Sequence, residues 1–126
     1  MKVTVSITPR AIEAGEFGVP PAHCGAIAEF RGAVRGEEYD RVIEALEYQA
    51  YRPMAEREIG RLIRELEREF PCEEVGVVHR VGVIPVGETA IYIRVLARHR
   101  AEAFGMLASF MDRLKQDVPI WKVRAL

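Results

Sequence analysis

Cysteine is scarce in this 126-residue chain: Cys24 and Cys72 are the only two, far apart and in neither a CxxC nor a Cys/His spacing. That leaves no basis for a disulfide framework or a metal site, and buried reduced thiols are the ordinary reading. Net charge is nearly absent too, with 18 basic residues against 19 acidic ones and a formal charge of -1. No field of the whole molecule therefore draws it to nucleic acid or an anionic membrane, and any bound anion must be held by a local cluster. No apolar run is long enough to span a bilayer, and Met1 to Thr8 alternates apolar and polar residues like a strand rather than a signal peptide. A soluble, cytoplasmic protein is expected. Phosphate-loop, dinucleotide and Ser/His/Asp nucleophile motifs are all missing. Lysine is the last scarcity: of the 18 basic residues only Lys2, Lys115 and Lys122 are lysine, and two of them lie close together near the C-terminus. Arginine stays protonated and binds through a fork, whereas a desolvated amine can act in proton transfer or nucleophilic attack.

What is present suits one domain over residues 1–126, since 49% of the chain is hydrophobic, enough for one real core. After the first strand, Thr8-Pro9 reads as a cap and first position of a short helix ending near Gly15 or Gly18. Residues 25–35 and 42–48 read as two antiparallel strands joined by residues 36–40. Pro53 opens the clearest helix, with Ile59, Leu62, Ile63, Leu66 and Phe70 on one face and Pro71 as its stop. Val75, Val77, His79, Val81 and Val83 share one side of a further strand, Pro85 to Gly87 turns, and residues 89–98 alternate again. A second helix carries Phe104, Leu107, Met111, Leu114 and Val118 as its apolar stripe, closed by Pro119. This order predicts an α+β fold: a mostly antiparallel sheet with two main helices and a short N-terminal helix.

Chemistry is concentrated late in the chain. Arg98-His99-Arg100 stacks basic groups where a strand meets a helix N-terminus, which already carries partial positive charge. A bound phosphate or carboxylate would resolve that conflict; the alternative is that the arginines splay into solvent or pair with acids such as Glu102. Lys115 falls at the edge of the second helix's apolar stripe, where its amine serves chemistry or its stem simply covers apolar surface. Lys122 follows the Pro119 turn, with Trp121 placed to anchor the tail so that both amines face one cleft. Phe30 and Arg35 flank Gly32, which would let a ligand approach the backbone. His79, on the valine face, reads as a core or interface histidine.

Taken in order, several stretches carry a resemblance. They are Gly25-Ala26-Ile27 with Phe30-Arg31-Gly32-Ala33-Val34-Arg35, Leu46-Glu47-Tyr48 with Pro53-Met54-Ala55-Glu56, and His79-Arg80-Val81-Gly82 with Gly87-Glu88. Ala97-Arg98-His99-Arg100 with Ala103-Phe104, and Met111-Asp112-Arg113-Leu114-Lys115 with Pro119-Ile120-Trp121-Lys122, complete the set. Across nearly its whole length the chain resembles the large, catalytic subunit family of molybdopterin synthase. It departs from that family's pattern at Glu29 and Arg31, charged where relatives often have small or apolar residues, and at Arg124, where an acidic residue is common.

The resemblance implies a hammerhead-like fold and a homodimer within a heterotetramer. It implies a small ubiquitin-like partner whose C-terminal Gly-Gly carries a thiocarboxylate, and a reaction that moves sulfur onto cyclic pyranopterin monophosphate to build the molybdopterin dithiolene. It also implies Lys115 and Lys122 as catalytic residues and Phe30, Arg35, His99, Arg100 and Met111 as pocket residues, with no metal and no resident cofactor. Ending in Arg124-Ala125-Leu126 rather than Gly-Gly, the chain is expected to receive sulfur from the carrier, not to be the carrier. Two other readings remain beside it: a non-catalytic module that binds an anionic metabolite at Arg98-His99-Arg100, and a purely structural dimerisation domain.

Overall fold

A computed structural model describes all residues, 1–126. In chain order its elements are β1 (Lys2–Thr8), β2 (Ala26–Ala33), β3 (Glu37–Glu38), β4 (Arg41–Val42), β5 (Ala45–Ala50), α1 (Met54–Leu66), β6 (Glu74–Arg80), β7 (Gly82–Pro85), β8 (Thr89–Ala97), α2 (Arg100–Asp117) and β9 (Ile120–Ala125). Strands β1-β6-β8-β2 form a four-stranded sheet, β7-β5-β9 a three-stranded one, and β3-β4 a small hairpin. Only β1 and β6 run parallel; every other pair is antiparallel. The α+β class expected from the sequence is therefore the observed one. No helix is long and apolar enough to cross a membrane.

The main core lies between the four-stranded sheet and the two helices. Helix α1 buries Ala55, Ile59, Leu62, Ile63 and Leu66 while Arg61 pairs with Glu58 and Glu65 on its outer face. That is the expected stripe, shortened: the helix ends at Leu66, and Phe70 follows in a turn that donates its N–H to the Leu66 carbonyl. Each buried Ile or Leu contributes roughly 1.5–3 kcal/mol by leaving water, whereas the exposed ion pairs are screened by solvent and contribute little.

Helix α2 departs from the expected stripe. Its buried residues are Ala103, Met106 and Phe110, with Leu107, Met111 and Leu114 only partly covered, and Phe104 is 63% exposed. The helix is apolar on two adjacent stripes, so spacing alone permits either to face inward. Phe110 and Met106 fill the core, and the neighbouring stripe is left for the surface and the cavity described below.

Three further expectations are corrected. The segment after Thr8 is no helix; residues 14–17 form a turn, and Phe17 stacks on Tyr92. The buried Arg94 guanidinium donates to the carbonyls of Phe17 and Gly18, holding that segment to the outer face of the sheet. Residues 25–35 and 42–48 do not pair with each other: β2 pairs with β8, and β5 with β7 and β9. The strand expected from Val75 to Val83 is two strands. Gly82, at φ 88°, takes a conformation that side-chain-bearing residues avoid, turning the chain from one sheet into the other and leaving Val83 exposed.

The charges that depart from the family pattern have local partners. The Tyr92 hydroxyl donates to Glu29, Arg31 lies 4.0 Å over the Tyr92 ring, and Arg124 Nε donates to Glu47 Oε1 at 2.6 Å.

Candidate active site

Where the end of α2 meets β9, a cavity of about 480 Å³ opens. Helix α2 supplies Met111, Leu114 and Lys115; β9 supplies Ile120, Trp121 and Lys122; and strands of the two sheets supply Phe30, Tyr48, His79, Ile91 and Ile93. The two late lysines thus line one space that is mostly apolar, the composition expected of a small-molecule site. Lys115 reaches it because Met111 and Lys115 are one helical turn apart. Lys122 reaches it because β9 pairs with β5, placing Lys122 across from Tyr48, just after a register shift between Glu47 and Tyr48. Such bulges re-aim side chains and are enriched beside functional sites.

Lys122 is held by a third element. Its Nζ donates to Glu38 Oε1 at 3.0 Å, and Glu38 sits on the β3-β4 hairpin, whose turn residues Tyr39 and Asp40 have φ of 53° and 59°. Partial burial works against the charged amine, but the hydrogen bond it donates to Glu38 and the attraction of that carboxylate outweigh it, so the Lys122 pKa is raised. Burial pushes the Tyr48 hydroxyl up as well. A raised amine contributes stability that is complete below its ordinary value of 10.5 and is lost as pH rises through the folded value. In Glu38→Gln the carboxylate is gone and desolvation remains, so the Lys122 ammonium is expected to lose its proton at lower pH than in the parent. Carbon-13 NMR of reductively methylated protein reads this directly, since Lys2 and Lys115 are the only other lysines.

His79 is 6% exposed, as expected of a core histidine, yet it also lines the lysine cavity. Its ring meets Tyr48 edge-on with centroids 5.2 Å apart, and Nδ1 lies 2.7 Å from the Arg80 carbonyl oxygen. Burial lowers its pKa below the ordinary 6.5, against a smaller opposing effect of that hydrogen bond.

Of the candidates named from the sequence, Lys115, Lys122, Phe30 and Met111 meet in this cavity, and the other three do not. His99 and Arg100 line a separate cavity of about 440 Å³ with Gly25, Ile27, Arg98 and Phe104. His99 precedes α2 in extended conformation and makes no side-chain cap, so the helix N-terminus carries the basic cluster anticipated there. Arg98 pairs with Glu73 at 3.7 Å. Arg35 lies beside the β3-β4 hairpin, in a surface depression with Glu37, Glu38 and Asp40.

Two anticipated details differ. A Cβ on Gly32 would meet Ile91 Cγ2 at 2.9 Å and Phe30 Cε2 at 3.2 Å, so this glycine admits neighbouring side chains rather than a ligand. Trp121 is 45% exposed and does not anchor the tail; the β9-β5 ladder does. Tyr48, His79 and Glu38 went unnoticed as site residues. The only sequence signal was that Tyr48 and His79 fall within the family-like stretches; Glu38 had none.

The family model described as MoaE protein matches residues 6–117, taking in Lys115 and stopping short of Lys122. The molybdopterin synthase catalytic subunit of Rattus norvegicus is 35% identical over 123 residues, 96% of this chain and 62% of that protein. That of Homo sapiens is 39% identical over 99 residues, 79% of this chain and 53% of that protein, so the chain spans between about half and three-fifths of these relatives' length. The Pyrococcus abyssi catalytic subunit is 40% identical over 104 residues, 82% of this chain and 70% of that protein. Among solved structures, molybdopterin synthase from Staphylococcus aureus superposes with a TM-score of 0.87 at 30% identity, covering 95% of this chain and 88% of that one. A complex of subunits 1 and 2 of molybdopterin-converting factor from Helicobacter pylori shares the fold, with a TM-score of 0.74 at 18% identity over 95% of this chain and 82% of that one. With a family match that runs through both sheets and both helices, the chain belongs to the MoaE protein family.

Proposed function

We propose that this chain is the catalytic subunit of a molybdopterin synthase, one domain over residues 1–126 acting in the cytoplasm in molybdenum cofactor biosynthesis. It takes sulfur from the thiocarboxylated Gly-Gly terminus of a small ubiquitin-like partner and transfers it to cyclic pyranopterin monophosphate. The observation that carries this reading is the meeting of Lys115 and Lys122 in one largely apolar cavity with Phe30 and Met111. An amine on the rim of an apolar cavity suits proton transfer and carbonyl activation, and a second cation suits charge developing on a thiocarboxylate or its carbonyl. Lys115 takes the first role; Lys122 orients the partner's terminus. The two-subunit Helicobacter pylori complex is the precedent in fold for such a partner.

Arg35, His99 and Arg100 hold phosphate or carboxylate. Since His99 and Arg100 lie outside the lysine cavity, a second copy of the chain would have to bring them to it. Ile27 and Phe104, 50% and 63% exposed beside that basic cluster, give a homodimer an apolar seat within a heterotetramer.

The test mixes the purified chain with thiocarboxylated partner and cyclic pyranopterin monophosphate and follows the dithiolene product by mass spectrometry. Product supports the synthase. With an authenticated, active partner and substrate, no product and no binding would remove it and leave the anion-binding module, which the separate His99–Arg100 cavity favours.

A further inference from the structure

The lysine cavity holds donors in abundance and little that accepts a proton. A charged amine has hydrogens and no lone pair, and the Tyr48 hydroxyl is pushed above its ordinary range by burial, so it stays protonated. Glu38 is engaged with Lys122. His79 differs. The Arg80 carbonyl can only accept, so the 2.7 Å contact requires the hydrogen on Nδ1, and in the neutral ring the lone pair is then on Nε2. Nε2 has no protein partner, and the ring is part of the cavity wall.

The titratable groups that share the cavity with this ring do not stabilise an imidazolium. They are Tyr48 from β5, Lys115 from α2 and Lys122 from β9 with Glu38 behind it, while its register neighbours on β1 and β8 are Ile7 and Ile91. Lys122 is pushed up and His79 down, the divergence that marks an acid and a base within one site.

Sulfur transfer from a thiocarboxylate needs such a base. Once the sulfur has bonded to the pterin carbon it is still held to the partner's acyl carbon, and cutting that bond takes a nucleophile. We propose that His79 is the proton acceptor of this cavity, taking a proton at Nε2 from the water that releases the partner's carboxyl terminus. Water oxygen bonds to the acyl carbon, one water proton passes to Nε2, and the carbon–sulfur bond breaks with its electron pair remaining on sulfur. The imidazolium then gives its proton to that thiolate, leaving the partner as a carboxylic acid, a thiol on the pterin and a neutral ring. This inference rests on the synthase reading.

His79→Asn tests it, because the shorter amide retains an N–H for the Arg80 carbonyl and removes Nε2. With the parent active, the variant is expected to lose roughly 10²-fold in kcat, with KM for the pterin unchanged and the acid limb of the parent's kcat profile abolished. In a single turnover a covalent partner–pterin adduct accumulates and is read by intact mass. Parental kcat with the parental acid limb, or a loss without any adduct, overturns the role of His79 and leaves the synthase reading intact. An inactive parent overturns both. If thermal melting shows the variant unfolded, nitrogen-15 NMR of the parent's imidazole decides: a neutral ring protonated at Nδ1 is expected, and one protonated at Nε2 overturns the proposal.

Discussion

Lys115→Ala is expected to slow sulfur transfer by roughly 10²–10⁴-fold, the usual contribution of a positioned proton-transfer group. Folding is expected to be nearly untouched. Lys115 is exposed in the last turn of α2, whereas that helix is fixed by Ala103, Met106 and Phe110 beneath it. The substitution removes a cation from a helix C-terminus, which costs about 0.3–1 kcal/mol. Lys115→Arg separates charge from proton transfer: it restores the cation but not a compact amine, so little activity should return. Steady-state dithiolene formation, with thermal melting alongside, checks both variants. Parental turnover in Lys115→Ala would exclude the amine from the chemistry. Lys122→Ala is expected to weaken use of the partner as well, and to release Glu38, its partner at 3.0 Å.

Phe110→Ala should have the largest effect on stability, roughly 3–5 kcal/mol. Phe110 is 0% exposed in the core cluster that joins α1, α2 and the four-stranded sheet. Its removal leaves a ring-sized void that close-packed neighbours fill only in part. Against a total stability of about 5–15 kcal/mol, such a loss removes a large fraction of what holds the domain folded. Phe104→Ala is the control: at 63% exposed, it should shift the monomer's denaturant midpoint far less. A larger loss in Phe104→Ala than in Phe110→Ala would mean that the stripe expected from the sequence, not the observed one, faces inward.

That contrast shows where local pattern stops being informative. Helix α1 was legible because its two faces differ sharply, with Ile59, Leu62 and Ile63 on one side and Arg57, Arg61 and Arg64 among those on the other. Helix α2 was legible in extent and not in rotation, because Ala103–Met106–Phe110 and Phe104–Leu107–Met111 are both apolar and only packing chooses between them. The two-strand reading of residues 25–48 failed for a related reason. Strand character is local, but a strand's partner is set by which edges meet in space, and β2 and β5 entered different sheets.

Sequence by itself determined the α+β class, the near-neutral charge, the positions of both main helices and the small set of residues able to carry chemistry, above all two late lysines in an arginine-rich chain. These follow from composition and short-range periodicity, which act within a few residues. Tertiary structure alone decided that both lysines share a cavity with Tyr48 and His79, that Glu38 comes from a hairpin 84 residues earlier to hold Lys122, and that His99 and Arg100 stand apart from them. Those outcomes depend on the β5-β9 ladder and on the turn at Gly82, where distant segments meet and the free energy of the whole core, rather than any local preference, sets the arrangement.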